Sequence, residues 1–181
     1  MDEYAKAPFK VSVIGSGSLW GMSHPGSFAP LQATVTELYE RKISSLVCLQ
    51  EHHELAELGL RRFPERCLAR RVRWIHFPLR DKSTPEDAAE FAALGERIFD
   101  DIVRGANIAV HCHAGIGRTG MLISSVLGRA GHTLEEAHYI FSAARGFRVP
   151  ETSDQYQWMA RHWTLLTNPE SRNREGSEQA K

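Results

Sequence analysis

The sequence predicts an α/β fold with a central, mainly parallel sheet of four to five strands and helices on both faces. Short β-prone runs alternate along the chain with stretches whose apolar residues recur at helical spacing. A glycine-rich loop joins one predicted strand to a helix, and sheets of this kind bind ligands beyond the carboxyl ends of their strands. The 181 residues suit a single domain over residues 1–167, and we expect the polar tail over 168–181 to be disordered.

Five short runs are predicted as strands because β-branched, aromatic and other apolar residues dominate them. Turn residues bound the runs, such as Gly15–Ser18 after the first and Pro78 at the end of the fourth. The predicted strands cover residues 10–14, 19–22, 43–49, 72–78 and 107–111.

The predicted helices are identified by apolar residues at helical spacing and by residues typical of helix ends. Thr84 with Pro85 indicates the start of one helix, and Thr133 with Glu136 forms a capping box at the start of another. Gly59 and Gly131 are placed to end helices. The predicted helices cover residues 30–41, a short stretch from 50, 85–104, 118–130, a stretch from 133, and 151–166.

The loop within Val110–Gly120 connects a predicted strand to a helix and has the features of an anion-binding site. Gly115 and Gly117 permit tight backbone turns in which successive N–H groups point inward. Those N–H groups and the positive end of the following helix favour a phosphate-like dianion. The same donors stabilise a thiolate at Cys112, which is the form of cysteine that attacks.

Arg118 follows Cys112 by six positions and completes this predicted site. Its planar guanidinium can bind two oxygens of a tetrahedral anion at once, which the point charge of a lysine does not match. Thr119 can donate a hydrogen bond to the sulfur when the sulfur leaves. The alternative interpretation is structural: a reduced, buried cysteine in a glycine-rich turn between a strand and a helix.

The pattern of Cys112, five further residues, Arg118 and Thr119, preceded by His111, resembles the signature of the protein tyrosine phosphatase superfamily. The resemblance implies that Cys112 is the nucleophile and that Arg118 binds phosphate. It also implies that His111 orders the loop by hydrogen bonding and that the loop surrounds the phosphate. The expected substrate-binding residues are His113, Ala114, Gly115, Ile116, Gly117 and Arg118.

Asp81 lies in a polar loop after a predicted strand and is the candidate general acid. A carboxyl group on a loop that closes over the substrate can be kept protonated by desolvation and by the nearby phosphate. It can then accept a proton from water after the alcohol departs. Phe77–Asp81 resembles the general-acid loop of the dual-specificity branch. Asp87 is the alternative, although its place in the first turn of a helix already explains it.

The segment Glu151–Tyr156 resembles a loop that carries two glutamines in the larger tyrosine phosphatases, where one of them orients the hydrolytic water. Glu151 occupies the first of those positions here, which leaves Gln155 as the candidate for this role. Helix capping by acidic residues is the structural alternative. The resemblance covers about residues 10–163 and is closest to atypical dual-specificity phosphatases of the kinase-associated kind.

In that group and its tensin-like relatives, a cysteine near the end of the preceding strand can form a disulfide with the nucleophile. Cys48 stands at a matching place in this sequence. The resemblance therefore implies a reversible disulfide that protects Cys112, and a plain buried cysteine is the alternative. Cys67 receives no role.

Six arginines lie between Arg61 and Arg73, and two interpretations of them stay open. Such a stretch is often a solvated face of the protein. The functional interpretation is a basic patch that attracts an acidic, phosphorylated substrate towards Cys112.

The composition excludes several classes of function. With 22 basic and 22 acidic residues the formal net charge is zero, so we expect neither nucleic acid nor a membrane surface as a partner. Three cysteines offer neither a disulfide framework nor a metal knuckle and fit a reducing cytoplasm. The start of the chain has no apolar signal segment. The pairs His52–His53 and His111 with His113 lack the spacing of helical metal ligands, so we expect no metal and no cofactor.

These inferences predict a cytoplasmic, monomeric phosphomonoesterase that acts on phosphorylated proteins or peptides through a phosphocysteine intermediate. Two alternatives stay open. One is a phosphate-recognition module with little turnover, which the acidic Glu151 keeps open. The other is a phosphatase for non-protein esters such as inositides or RNA.

Overall fold

A five-stranded sheet runs through the centre of the computed structural model, which describes residues 3–168. The strand order is β1-β2-β5-β3-β4. The pair β1 and β2 is antiparallel, and the pairs β2–β5, β5–β3 and β3–β4 are parallel. The predicted α/β class with a mainly parallel sheet is therefore confirmed. The strands are β1 (Phe9–Ile14), β2 (Gly17–Met22), β3 (Ser45–Cys48), β4 (Arg73–His76) and β5 (Asn107–His111).

Helices cover both faces of this sheet and enclose two separate hydrophobic cores. Alternate residues of β2, β3, β4 and β5 point into different cores, as the two-residue repeat of a strand requires: Val110 packs on one side and Ala109 on the other. The helices are α1 (Leu31–Glu40), α2 (His52–Glu57), α3 (Phe63–Ala69), α4 (Ala88–Val103), α5 (Gly117–Arg129), α6 (Leu134–Arg145) and α7 (Ser153–Thr167). Helices α1, α2 and α3 share one core, and α4 to α7 share the other.

Helix α3 lies inside the arginine-rich stretch, where no helix was expected. Its buried side is narrow and consists of Phe63 and Cys67, one turn apart, while Pro64 occupies the first turn. Two apolar residues among many charged ones are a weak periodic signal, which explains the omission.

The start of α4 differs from the expectation that Thr84 caps this helix. Asp87 is the N-cap, and its carboxylate accepts hydrogen bonds from the N–H groups of Ala89 and Glu90 at 2.8 and 3.0 Å. Asp87 therefore has a structural role, because its side chain satisfies two donors of the first turn. The capping box of Thr133 and Glu136 at the start of α6 is confirmed.

The sheet brings the carboxyl ends of its parallel strands to one edge, where the loops after β3, β4 and β5 meet. No helix within residues 3–168 is long and apolar enough to cross a membrane. The tail expected over 168–181 lies, apart from Asn168, outside the described residues.

Candidate active site

The signature loop, residues 112–118, is anchored from behind through its carbonyl oxygens. Arg145, a buried residue of α6, donates hydrogen bonds to the carbonyls of Ala114 at 2.7 Å and Gly115 at 3.1 Å. The N–H of His24 binds the carbonyl of His113 at 2.9 Å. In a trans peptide the C=O and the next N–H point in opposite directions. The N–H groups that follow these three carbonyls therefore point to the front of the loop, as an anion site requires.

Gly115 is the one residue of this loop whose backbone demands glycine. Its φ is +68°, and a Cβ there would overlap the carbonyl oxygen of Met22 in β2. The glycine thus lets the loop press against β2. Arg145 was missed by the sequence analysis, because an arginine in the last turn of a helix is adequately explained by the helix dipole.

Cys112 lies at the base of the loop, 3% exposed, directly after the last residue of β5. Helix α5 begins at Gly117, so its positive end faces the same space. Thr119, in the first turn, has a buried hydroxyl with no hydrogen-bond partner among the described residues. The hydroxyl is therefore available as a donor.

Arg118 is almost completely buried, at 1% exposure, and its guanidinium is fixed on two sides. Both terminal nitrogens bind the carboxylate of Glu54, at 2.6 Å from Nη1 to Oε2 and 2.9 Å from Nη2 to Oε1. Nη1 also donates to the carbonyl of Leu79 at 2.9 Å. Burial disfavours the charged guanidinium, but the hydrogen bonds and negative charge of Glu54 outweigh it and raise the pKa of Arg118. Arg118 is therefore a permanent cation in a fixed orientation.

Glu54 is a site residue that the sequence analysis missed. It lies in α2, where its Oε2 also accepts the N–H of Glu51 at 2.8 Å as part of a capping box. Burial opposes its ionisation, but the hydrogen bonds from Arg118 and Glu51 prevail and hold the pKa of Glu54 below its ordinary value. A glutamate near a helix start predicts capping only, so the sequence carried no signal for the contact with Arg118.

Asp81 approaches Arg118 from the acid loop, residues 77–84. Its Oδ1 lies 2.8 Å from Nη2 of Arg118, while its side chain stays 55% exposed. The remaining N–H of the guanidinium, on Nε, is buried and has no hydrogen-bond partner in the described part of the chain. Nε and Nη2 form one edge of the guanidinium, and their spacing matches two oxygens of a phosphate. Asp81 occupies only the Nη2 half of this edge.

Two contacts tie the acid loop to the start of α7. Nε2 of Gln155 donates a hydrogen bond to the carbonyl of Ser83 at 3.2 Å. Nζ of Lys82 lies 3.8 Å from Oε1 of Glu151, in a partly exposed ion pair. Such an ion pair contributes little by itself, so the buried amide of Gln155 is the stronger of the two contacts.

Gln155 and Glu151 also pack against the signature loop. A Cβ on Gly117 would lie 2.8 Å from Oε2 of Glu151 and 2.9 Å from Oε1 of Gln155. Oε1 of Gln155 accepts the N–H groups of Glu151 and Thr152 at 3.2 and 3.3 Å. Oε1 of Gln155 thus belongs to the capping box at the start of α7, while Nε2 reaches the acid loop, and the orientation of water by Gln155 stays a prediction.

His111 is fully buried, and its Nδ1 lies 3.2 Å from the carbonyl oxygen of Cys112. Burial lowers the pKa of His111 to about 3, so its imidazole is neutral and donates from Nδ1. His113 is exposed at the rim, where its ring centroid lies 4.8 Å from that of His24. No group of three or more His, Cys, Asp or Glu residues within residues 3–168 is arranged to hold a metal ion.

Cys48 ends β3 next to His111, with which it pairs in register. Its side chain belongs to the core beneath α1, α2 and α3, whereas Cys112 belongs to the core on the other face. Burial raises the pKa of Cys48 to about 12. Cys48, Cys67 and Cys112 are all free thiols in this structure.

Several solved structures share this fold. A kinase associated phosphatase whose catalytic-site cysteine is replaced by serine is 19% identical, with a TM-score of 0.78 over 92% of this chain and 98% of the other. Tk-PTP in its active form is 22% identical, with a TM-score of 0.70 over 88% and 97%. PTPMT1 in complex with PI(5)P is 13% identical, with a TM-score of 0.65 over 86% and 96%. At these identities the similarity establishes the fold.

The family comparison defines the class of protein as a dual-specificity phosphatase of the protein tyrosine phosphatase type, and the fold agrees with it. The family described as "Tc-R-P: Polymorphic toxin system, DSP-PTPase phosphatase" matches residues 20–132, which include the end of β2, the strands β3, β4 and β5 and the signature loop. The chain belongs to this family. A comparison with curated proteins finds no significant match.

Proposed function

We propose that the chain hydrolyses phosphate monoesters of proteins or peptides through a phosphocysteine intermediate on Cys112. The observation that carries this proposal is the buried, unpartnered Nε of Arg118 beside a loop whose N–H groups point forward. Nε and Nη2 together form a bidentate site for two phosphate oxygens. The loop amides and the start of α5 supply further donors, and such preorganised donors are worth most in a site without water.

In the first step, the thiolate of Cys112 attacks phosphorus, the S–P bond forms and the bond to the ester oxygen breaks. The incoming phosphate takes over the Nε and Nη2 edge of Arg118 and displaces the Asp81 carboxylate from Nη2. Beside the phosphate dianion, the displaced carboxylate of Asp81 takes up a proton from solvent. The protonated carboxyl group gives its proton to the leaving oxygen, so an alcohol departs.

In the second step, water attacks phosphorus, the S–P bond breaks and inorganic phosphate forms. The carboxylate of Asp81 accepts the proton of the attacking water, so one group serves both halves of the reaction. Thr119, whose buried hydroxyl has no hydrogen-bond partner among the described residues, donates a hydrogen bond to the departing thiolate. A nucleophilic thiolate requires reducing surroundings, which supports the expectation of a cytoplasmic enzyme.

An inositide monophosphate is the second candidate substrate, since PTPMT1, which shares the fold, has been solved with PI(5)P. The carboxylate of Glu151 lies against the signature loop, and Lys82 is its ion-pair partner. A negative charge at this place disfavours substrates with several phosphates. A phosphorylated side chain therefore fits the site better.

The test is phosphate release, with and without chelator, from a phosphotyrosyl peptide, a phosphothreonyl peptide and PI(5)P. The proposal predicts turnover of a peptide that Cys112→Ser abolishes and that chelator leaves unchanged. If PI(5)P is hydrolysed and neither peptide is, the substrate is a phosphoinositide lipid and not a phosphorylated protein. Tight binding of phosphopeptide by the wild type with no turnover would identify a phosphate-recognition module instead.

A further inference from the structure

A surface groove runs along the outer side of β4, the edge strand of the sheet. It consists of two adjoining cavities of about 290 and 580 Å³ that share Pro64 and Trp74. We call it the basic groove. His52, Leu55, Arg61 and His76 line the first cavity, and Glu65, Leu68, Arg71 and Arg73 line the second.

The floor of the basic groove is apolar and open to solvent. Leu68, on α3, is 73% exposed, and the ring of Trp74 is only partly buried. An exposed leucine beside a tryptophan and a proline is unusual for a face that only contacts water, and such patches mark binding sites.

The rim of the basic groove is positively charged, although the whole chain has a net charge of zero. Residues 61–73 hold six arginines and one acidic residue, Glu65. Glu65 pairs with Arg62, and Arg73 pairs with Asp101. Within the described part of the chain, the exposed Arg61 and Arg71 have no carboxylate partner. The groove therefore combines apolar contact with unneutralised positive charge.

The near end of the basic groove lies beside the active site. His111, which precedes Cys112, pairs in register with Cys48, and Cys48 pairs with His76 at the groove. With neighbouring strands about 4.8 Å apart, His76 lies roughly 10 Å from His111. An extended peptide covers that distance in about three residues. The groove therefore lies within reach of a substrate chain whose phosphorylated residue is bound at Cys112.

We propose that the basic groove binds an acidic segment of the protein substrate, with an apolar side chain on Leu68 and Trp74, a few residues from the phosphorylated one. Carboxylates of this segment neutralise Arg61 and Arg71, whose planar guanidinium groups suit carboxylates. The proposal rests on the proposed protein phosphatase function and adds a class of substrate to it.

The test compares two phosphotyrosyl peptides that differ in a segment about three to six residues from the phosphotyrosine, on either side. One carries Asp, Glu and Leu there, and the other carries Ser and Leu.

The groove variant is Arg61→Glu with Arg71→Asn. Arg71 has a φ of +60°, which asparagine tolerates. The control variant, Arg97→Glu with Arg161→Asn, changes the charge equally on exposed residues of α4 and α7.

For the wild type and the control variant, kcat/KM is expected to be about tenfold higher for the acidic peptide, mainly through KM, and the preference should shrink with added salt. The groove variant should lose this preference and keep its activity on p-nitrophenyl phosphate and on the neutral peptide. An unchanged preference in the groove variant would overturn the proposal.

Binding of the same peptides to Cys112→Ser protein, followed by fluorescence anisotropy, separates the groove from the catalytic proposal. Tighter binding of the acidic peptide that depends on Arg61 and Arg71 supports the groove even if no peptide is hydrolysed. Arg-dependent binding of a single-stranded oligonucleotide, with no preference for the acidic peptide, would instead assign the groove to nucleic acid and contradict the proposal.

Discussion

Glu54 binds Arg118 through both carboxylate oxygens, at 2.6 and 2.9 Å, although the two residues are 64 positions apart in the chain. The pair leaves a second guanidinium edge, Nε with Nη2, free of Glu54. Glu54 therefore fixes the orientation of Arg118, the arginine proposed to bind phosphate.

Replacement of Glu54 by alanine is predicted to reduce both activity and stability. A hydrogen bond to a charged group is worth about 1.5–3 kcal/mol, so kcat/KM should fall roughly 10- to 100-fold. Breaking a buried ion pair usually lowers the free energy of unfolding by about 3–5 kcal/mol. Because the buried Arg118 keeps its contacts with Asp81 and Leu79, we expect the lower value, about 3 kcal/mol.

Steady-state kinetics measure the loss of activity, and urea unfolding measures the loss of stability. Glu57→Ala, at an exposed position of the same helix, is the control. Wild-type kinetics in Glu54→Ala would show that Arg118 needs no such support.

Gln155→Ala is predicted to slow protonation of the leaving group, because the amide of Gln155 holds the carbonyl of Ser83 next to Asp81. Loss of one such hydrogen bond, about 1 kcal/mol, should lower kcat about fivefold for phenyl phosphate. The loss should be smaller for p-nitrophenyl phosphate, whose leaving group needs little protonation. Gln157→Ala, two residues further along and exposed, is the control.

A different result would support the role expected from the sequence, in which Gln155 orients the hydrolytic water. In that case Gln155→Ala should slow the hydrolysis of both substrates equally and cause the phosphoenzyme to accumulate.

His111 is predicted to make the protein less stable in mild acid. Burial lowers its pKa to about 3 in the folded state, whereas an unfolded histidine has a pKa of about 6.5. Between these values the unfolded chain binds a proton that the folded chain does not, so stability falls as the pH falls through this window. The loss is up to about 1.4 kcal/mol per pH unit, or about 2 kcal/mol between pH 6.5 and 5.

Urea unfolding at pH 6.5 and pH 5 measures this loss. His111→Asn should be less stable than the wild type at pH 6.5 and lose less on acidification, whereas His53→Asn, at an exposed position, should behave as the wild type. An equal pH dependence in His111→Asn and the wild type would indicate that His111 is protonated in the folded protein.

Cys48 is predicted to form a disulfide with oxidised Cys112, but slowly at neutral pH. The thiolate of Cys48 would attack the sulfenic acid of Cys112 and release hydroxide, and its pKa of about 12 leaves little thiolate at pH 7. The two side chains belong to different cores, and both are free thiols in this structure. The rate of disulfide formation after peroxide treatment should therefore rise about tenfold per pH unit.

Mass mapping and recovery of activity with a thiol reductant test this prediction. Cys48→Ser should lose recovery, and Cys67→Ser should retain it. Oxidation of Cys112 to sulfinic acid with Cys48 unmodified in the wild type would contradict the disulfide.

The sequence predicted the part of the site that is continuous in the chain. The spacing from His111 to Thr119 encodes a strand end, a tight loop and a helix start, and this local geometry brings Cys112 close enough to Arg118 to interact electrostatically. The strands were predictable for a similar reason, since short apolar runs between turn residues define them. Helix α3 was missed because its buried side consists of only two residues.

The side chains that hold the signature loop and Arg118 in place come from elements distant in the chain, and no local sequence pattern predicts these contacts. Glu54 and Arg145 each satisfy a local rule, helix capping or the helix dipole, and this rule conceals their contacts with the signature loop and Arg118. Gln155 likewise matched a family position and caps its own helix, yet its Nε2 also reaches Ser83, 72 positions away, a contact that only the folded chain creates.

The most direct test of the central claim is to trap the intermediate. The enzyme is mixed with p-nitrophenyl phosphate, quenched in acid within one turnover and examined by mass spectrometry. Asp81→Asn should accumulate more of the intermediate than the wild type, because the second step loses its base while the activated leaving group still departs. One phosphoryl group on Cys112, absent in Cys112→Ser, is the predicted result. Turnover with no phosphoryl group on Cys112, or with the group on another residue, would contradict the mechanism.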